Sequence, residues 1–382
     1  MNKKLLTTAI LAATASAAHA QSSVTLYGVI DAGISYVNHS KAGTGSSKLF
    51  KYDDGVAQGS RWGLRGTEDL GNGLKAIFVL ENGFNSGNGA LGQSNATTTR
   101  IFGRQAWVGL SQNNVGTLSF GRQYSFSTDI LGSNYSTGGN TVAGNYAYHI
   151  NDLDQLTSSR IDNSVKFTSA NFSGLTFGGL YGFSNQAGAF AGSPAAGTTS
   201  ATSSAYSFGA NYANGPFGIG AAYTTIRFPG TASVANYTSS QLRQLRSYGV
   251  GGRYSFGAAT AWLLWTNTHL EALQGAGLTF ANYEVGGKYA FTPALSGGLG
   301  YTYSRLTDGA SGHYNQVDAS VDYALSKRTD VYLLGIYQSA SGKLANGTAL
   351  QAQIGSSTSY FGTSGTGADN QVAVRVGIRH KF

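Results

Sequence analysis

Apolar and polar positions alternate one by one along most of the chain. Leu26, Gly28, Ile30, Ala32, Ile34 and Tyr36 share one parity; Thr25, Tyr27, Val29, Asp31, Gly33 and Ser35 share the other. Ile161, Asn163, Val165 and Phe167 alternate with Asp162, Ser164, Lys166 and Thr168. Tyr283, Val285, Gly287, Tyr289 and Phe291 alternate with Asn282, Glu284, Gly286, Lys288 and Ala290. The last segment, "QVAVRVGIRHKF", sets Val372, Val374, Val376 and Ile378 against Arg375 and Arg379 and ends on Phe382. A period of two places each set on one face of a β-strand. The pattern predicts strands that are oily on one side and ionic on the other.

The connections between these strands come in two sizes. Short ones are predicted near Glu68–Gly73, Gln112–Gly116, Asn171–Gly174, Asn214–Pro216, Gly257, Thr292–Ala294 and Ser326–Arg328. Long ones are predicted near 38–50, 85–98, 124–159, 185–204, 228–245, 268–279, 305–312 and 339–369. The two kinds alternate, long first, which predicts about 16 strands with both termini on the short-turn side. An all-β, 16-stranded antiparallel transmembrane β-barrel has this plan, because a closed barrel leaves no backbone group unpaired in hydrocarbon. Tyr and Phe at the ends of the apolar faces (Tyr254 and Phe256, Tyr289 and Phe291) suit a membrane boundary. Gly178, Gly182, Gly249 and Gly251 are expected on the inward face of a curved wall.

The first twenty residues are a separate matter. Lys3 and Lys4, a short apolar run and Ala18-His19-Ala20 predict an export signal that is cleaved, leaving 21–382 as one barrel domain. The formal charge of +8 falls to +6 when those two lysines leave. With 55 glycines, 4 prolines and no cysteine, the chain offers neither a disulfide scaffold nor thiolate chemistry.

Several stretches resemble general porins of Gram-negative bacteria, in particular the β-proteobacterial (Burkholderia- and Neisseria-type) branch. These are "SVTLYGVIDAGISYV", "SRWGLRGTEDLGNGLKAIFVLENGF", "GRQAWVGL" with "GTLSFGRQ", "SSRIDNSVKF" and the terminal Phe382. The resemblance spans essentially the whole mature chain. It implies a homotrimeric outer-membrane channel for passive diffusion of small hydrophilic solutes, with the long third loop folded into the lumen. It also implies recognition of Phe382 by the barrel-assembly machinery and contact with outer-membrane lipid and lipopolysaccharide.

The third loop, 124–159, is the candidate constriction. From Gln123 to Ser159 it carries no Lys or Arg but does carry Asp129, Asp152 and Asp154. Arg61, Arg104 and Arg160 stand in motifs matching the family's basic wall. Arg65, Arg122, Lys75 and Lys166 are further candidates. Facing charges of opposite sign across a gap, with cations in excess, predict an anion-preferring pore. The loop has no proline and lacks the Pro-Glu-Phe-Gly-Gly turn of enterobacterial porins.

Other functions fit less well. None of the six histidines sits in a recognisable nucleophile motif, so an enzyme is not expected. No metal-ligand pattern or cofactor motif occurs, and Lys and Arg are too dispersed for nucleic acid. A substrate-specific channel or an adhesin is the alternative; Tyr27, Tyr314 and Tyr332 are candidate lumen aromatics but form no stripe.

Overall fold

The computed structural model describes residues 23–93, 99–185, 204–232, 242–272, 277–356 and 360–382. The expected signal, 1–20, lies outside them. The first strands are β1 (Ser23–Ala42), β2 (Gly45–Asp54), β3 (Arg61–Gly71), β4 (Leu74–Gly83), β5 (Gln105–Gln112) and β6 (Gly116–Tyr124). They continue as β7 (Arg160–Ser169), β8 (Leu175–Gly182), β9 (Ala205–Asn214), β10 (Phe217–Ala232), β11 (Leu242–Phe256) and β12 (Ala259–Ala272). The series ends with β13 (Leu278–Ala290), β14 (Leu295–Asp308), β15 (Ala310–Ala324), β16 (Thr329–Leu344) and β17 (Asn370–Lys381).

These seventeen strands make sixteen staves. β2 and β3 both lie against the same side of β1, Ala32 to Ala42 meeting β2 and Ser23 to Val29 meeting β3, so together they are one stave interrupted at 55–60. Every pairing is antiparallel between neighbours, and β17 pairs with β1 from Val29↔Lys381 to Val37↔Ala373. At the seam the Phe382 N–H donates to the Gly28 carbonyl at 3.1 Å and Gly28 returns the bond at 3.0 Å. The cylinder is closed.

The alternation resolves as predicted over the middle of the wall. Val372, Val374, Val376 and Ile378 point outward and exposed, while Arg375 points inward and is fully buried. Tyr254, Phe256, Tyr289, Phe291 and Tyr323 form an outward aromatic row by the short turns. A second row lies nearer the long loops, where Tyr206, Tyr223 and Tyr248 run near-parallel and Tyr248 meets Trp265 edge-on. From Tyr283 to Phe291 the strand climbs about 26 Å at ~3.3 Å per residue, or roughly 20 Å vertically at a ~40° tilt, close to the height of an outer-membrane apolar band.

Beyond that second row the code inverts. Leu242, Leu245, Leu270, Leu278, Phe280, Leu306 and Tyr314 face inward and pack on Ile150, Leu153 and Leu350 from the connections. The outward positions there are Arg246, directly opposite His269, and Arg305, opposite His313. The wall continues past the membrane into water, where its outside must be wet and its inside can be dry. The expected long loops at 38–50 and 305–312 are for the same reason mostly strand: β1 and β2 meet at a tight turn, as do β14 and β15. A second departure is a bulge in β7. Asn163 has φ of 51°, and the register slips between Gly121 and Gln123. Ile161 is thereby turned inward against Phe126 and Leu180, and Asp162 outward, opposite to the simple alternation.

Candidate functional site: the charged cavity beneath the third loop

The third connection, 125–159, is not structureless. It contains a π-helical turn (Ser127–Gly132) and two short helices, α1 (Thr137–Asn140) and α2 (Gly144–Ala147). Its contacts are with inward-facing wall residues. Ser127 hydroxyl meets that of Thr224 at 2.7 Å, the Phe126 N–H donates to Ser207, and Tyr146 hydroxyl bonds Ser35 and Asp53. Asn145 donates to the Gly55 carbonyl in the break between β2 and β3.

The inward glycines explain this seat. A Cβ on Gly251 would lie 2.4 Å from the Tyr135 Cβ, one on Gly220 2.6 Å from Ile130, and one on Gly178 2.5 Å from the Phe126 ring. They make room for the loop more than for curvature. Gly251→Val is therefore expected to push Tyr135 off the wall and alter single-channel conductance while leaving the barrel folded. Heat-modifiable gel mobility together with a bilayer conductance histogram checks this; an unchanged histogram would contradict it.

A cavity of about 500 Å³ lies between the loop and the wall. Gln58, Gly59, Arg61, Arg104, Tyr124 and Asp129 line it on one side. On the other, Lys288, Asp322, Arg379 and Lys381 come from β13, β15 and β17, and Gly138 to Val142 of the loop cover it. Five cations thus face two carboxylates. Arg61 and Arg104 reach Glu81 from two sides, at 3.6 and 2.8 Å, and the Tyr27 hydroxyl donates to the same carboxylate at 3.0 Å. Arg379 is held by Asp330 at 3.0 Å and Asp322 at 3.8 Å.

The predicted residues divide into several groups. Arg61, Arg104 and Asp129 meet at this cavity. Arg160 lies just behind it, its guanidinium 4.8 Å over the Tyr124 ring and bonded to the Tyr124 hydroxyl. Lys166 pins the start of the loop, pairing with Asp129 and donating to the Tyr124 carbonyl at 2.9 Å. Arg65 faces inward over Tyr27 but below the cavity, and Lys75 lies opposite Asp69 beside the short turn.

The expectations for Arg122, Asp152 and Asp154 are corrected. Arg122 shares the outward face of Val108 and Phe120 through its Ala106 partner, and pairs there with Asp162, which Arg100 also holds. Asp152 and Asp154 are buried within the loop and do not face the gap. Asp152 accepts from the Thr157 and Ser158 N–H groups, and burial together with the Asp154 charge holds its carboxyl up at about 7. Phe382 sits at the seam with its ring over Gly28. Glu81, Lys288 and Glu284 were missed as site residues; the inward parity of each was legible, their partners were not.

Fold and cavity together define a β-barrel channel with an oily membrane-facing belt and a charged interior. Comparison with known proteins makes the class specific: residues 7–343 match the family model for Gram-negative porins, and the chain belongs to that family. It is 32% identical to an outer membrane porin protein of Bordetella pertussis and 30% identical to outer membrane porin protein 32 of Delftia acidovorans, each match covering 100% of both chains. Among solved structures it resembles an anion-selective porin from Comamonas acidovorans, with a TM-score of 0.72, 25% identity, and coverage of 95% of this chain and 100% of that one. The protein is an outer-membrane diffusion channel.

Proposed function

We propose that the channel is a general, anion-preferring porin whose constriction runs between Arg61 and Arg104 on the wall and Asp129 with α1 on the loop. The observation that carries this is the cavity lining of five cations and two carboxylates. In a low-dielectric bore, that excess raises the local concentration of anions, and the opposed Asp129 orders water across the gap. The anion-selective porin it resembles supports the same preference.

A non-specific pore is favoured over a substrate-specific one by the fate of the candidate aromatics. Tyr314 and Tyr332 are buried in packing, away from the cavity, and Tyr27 is engaged with Glu81. A channel rather than a hydrolase is favoured by the histidines: His149 lies within the loop seat, His39, His269 and His380 bond rim or strand-end groups, and His313 stacks on Tyr303. Export by the cleaved 1–20 signal, homotrimeric assembly, recognition of Phe382 by the assembly machinery, and lipopolysaccharide around the outward belt belong to the same proposal. So does traffic of small hydrophilic solutes.

Planar-bilayer recording tests it. We expect ohmic, unsaturated conductance in triplet steps, with a reversal potential favouring chloride under a KCl gradient. The preference should fade between about 0.1 M and 1 M salt, where the Debye length shrinks from about 10 to about 3 Å. Cation preference, or conductance that saturates with one solute, would overturn it.

A further inference from the structure

The loop is held across the bore by one wall carboxylate. Glu284, on the inward face of β13, is almost fully buried. Its Oε1 accepts from the Thr137 N–H, from the Thr137 hydroxyl at 2.7 Å and from the Trp262 indole N–H at 3.1 Å. Its Oε2 accepts from His149 Nε2 at 2.8 Å. The other imidazole nitrogen, Nδ1, meets Asp154, whose carboxylate also takes the Thr266 hydroxyl at 2.7 Å.

Glu284 therefore grips the loop at two places, the first residue of α1 and the turn at His149. Between those grips lie Gly138, Gly139, Asn140, Thr141, Val142, Asn145 and Tyr148, all of which line the cavity. The stretch that faces the arginines is strung between two bonds to a single side chain. We propose that Glu284, with His149 as its cationic partner, is the positioning residue that sets the open width of the channel. This rests on reading the loop as the constriction.

The charged surroundings of His149 are Asp152 and Asp154 on the loop, Glu284 on β13 and Asp318 on β15. β11 and β12 contribute the neutral Ser247, Thr266 and Trp262. Burial opposes the imidazolium, but Asp154 and Glu284 outweigh it and raise His149 to about 10. A basic group raised in this way stabilises the seat fully below its ordinary range near 6.5 and loses that contribution as pH climbs through about 10.

The experiment is single-channel recording of wild-type protein, Glu284→Gln and Gly251→Val from pH 6 to pH 11 in ether-lipid bilayers. Glutamine keeps an acceptor for Thr137 but removes one of the two carboxylates facing His149. Wild-type channels should hold one conductance level to about pH 10 and then flicker. Glu284→Gln should populate additional conductance levels at neutral pH, with flicker beginning at least about one pH unit lower. Should Glu284→Gln fail to fold by heat-modifiable mobility, His149→Gln is read in the same way for additional levels at neutral pH. A wild-type histogram and pH profile in the Glu284 or His149 variant, alongside an altered Gly251→Val, overturns the positioning role alone. If Gly251→Val is also unchanged, the loop is not the constriction and both ideas fall.

Discussion

Replacing both Arg61 and Arg104 by glutamine is expected to lower the chloride-to-potassium permeability ratio by about five- to tenfold in 0.1 M salt. A unit charge about 7 Å from a permeating ion is worth roughly 0.6 kcal/mol in water and about half of that with the screening of 0.1 M salt. Each lost cation therefore lowers local anion and raises local cation concentration about 1.6-fold and changes their ratio about 2.7-fold. The two arginines enclose Glu81 and leave that corner of the cavity with a surplus of one positive charge. The double variant reverses the surplus, since Glu81 remains. A triple variant that also carries Glu81→Gln restores a neutral corner and should recover about half of the loss on a logarithmic scale. The expected order of anion preference is wild type, triple, double, and it should contract in 1 M salt. Reversal potentials across a KCl gradient measure it. A double variant indistinguishable from wild type would show that the ions do not pass this corner.

The largest stability effect is expected at Arg375. The side chain is fully buried on β17, with Asp31 at 3.2 Å, the Tyr332 hydroxyl at 2.9 Å, and the Asp53 carbonyl at 3.0 Å. Asp31 is as deeply buried and also accepts from the Gln58 N–H in the break between β2 and β3. Arg375→Met strands that carboxylate without its counter-ion, a change that costs about 3–5 kcal/mol in buried pairs. Because β17 and β1 are the two strands that close the cylinder, the damage falls on the seam. Pairing Arg375→Met with Asp31→Asn removes both charges and should recover most of the loss. Urea midpoints in detergent, with folding followed by gel mobility, distinguish the three proteins. A single variant as stable as wild type would mean the pair contributes nothing to closure.

Arg375 also shows how much of the site could be read before the fold was known. Its inward parity was plain from the four apolar residues alternating with it, and so was its place in the last strand. That it is dry and spent on the seam, while Arg379 four residues on lines the cavity, depends on the loop above it: Tyr146 of α2 fills the space beside Arg375 and reaches Asp53 and Ser35. Arg61 was legible from motif and from its parity opposite Trp62 and Leu64, Arg104 from its motif alone, since "FGRQAWVGL" does not keep a clean alternation. Arg122 shares the parity of the outward-facing Phe120, so alternation itself places it on the outer face; the bulge at Asn163 then turns its partner Asp162 outward to meet it.

The acidic loop shows a different failure. Asp129, Asp152 and Asp154 look alike in a segment without a basic residue. Only contact distinguishes Asp129, which pairs with Lys166 at the cavity, from Asp152, which caps the loop's own N–H groups, and Asp154, which serves His149.

By itself the sequence determined the strands, their number, the lipid-facing set and the closure of a membrane barrel, because those follow from a period of two and from the requirement that hydrocarbon leave no backbone bond unmade. The tertiary structure decided which inward charges meet water. Inside a cylinder every inward position is equivalent until something occupies the bore, and the folded loop, strung from Glu284 and seated on glycines, buries some of those charges and leaves others along the cavity.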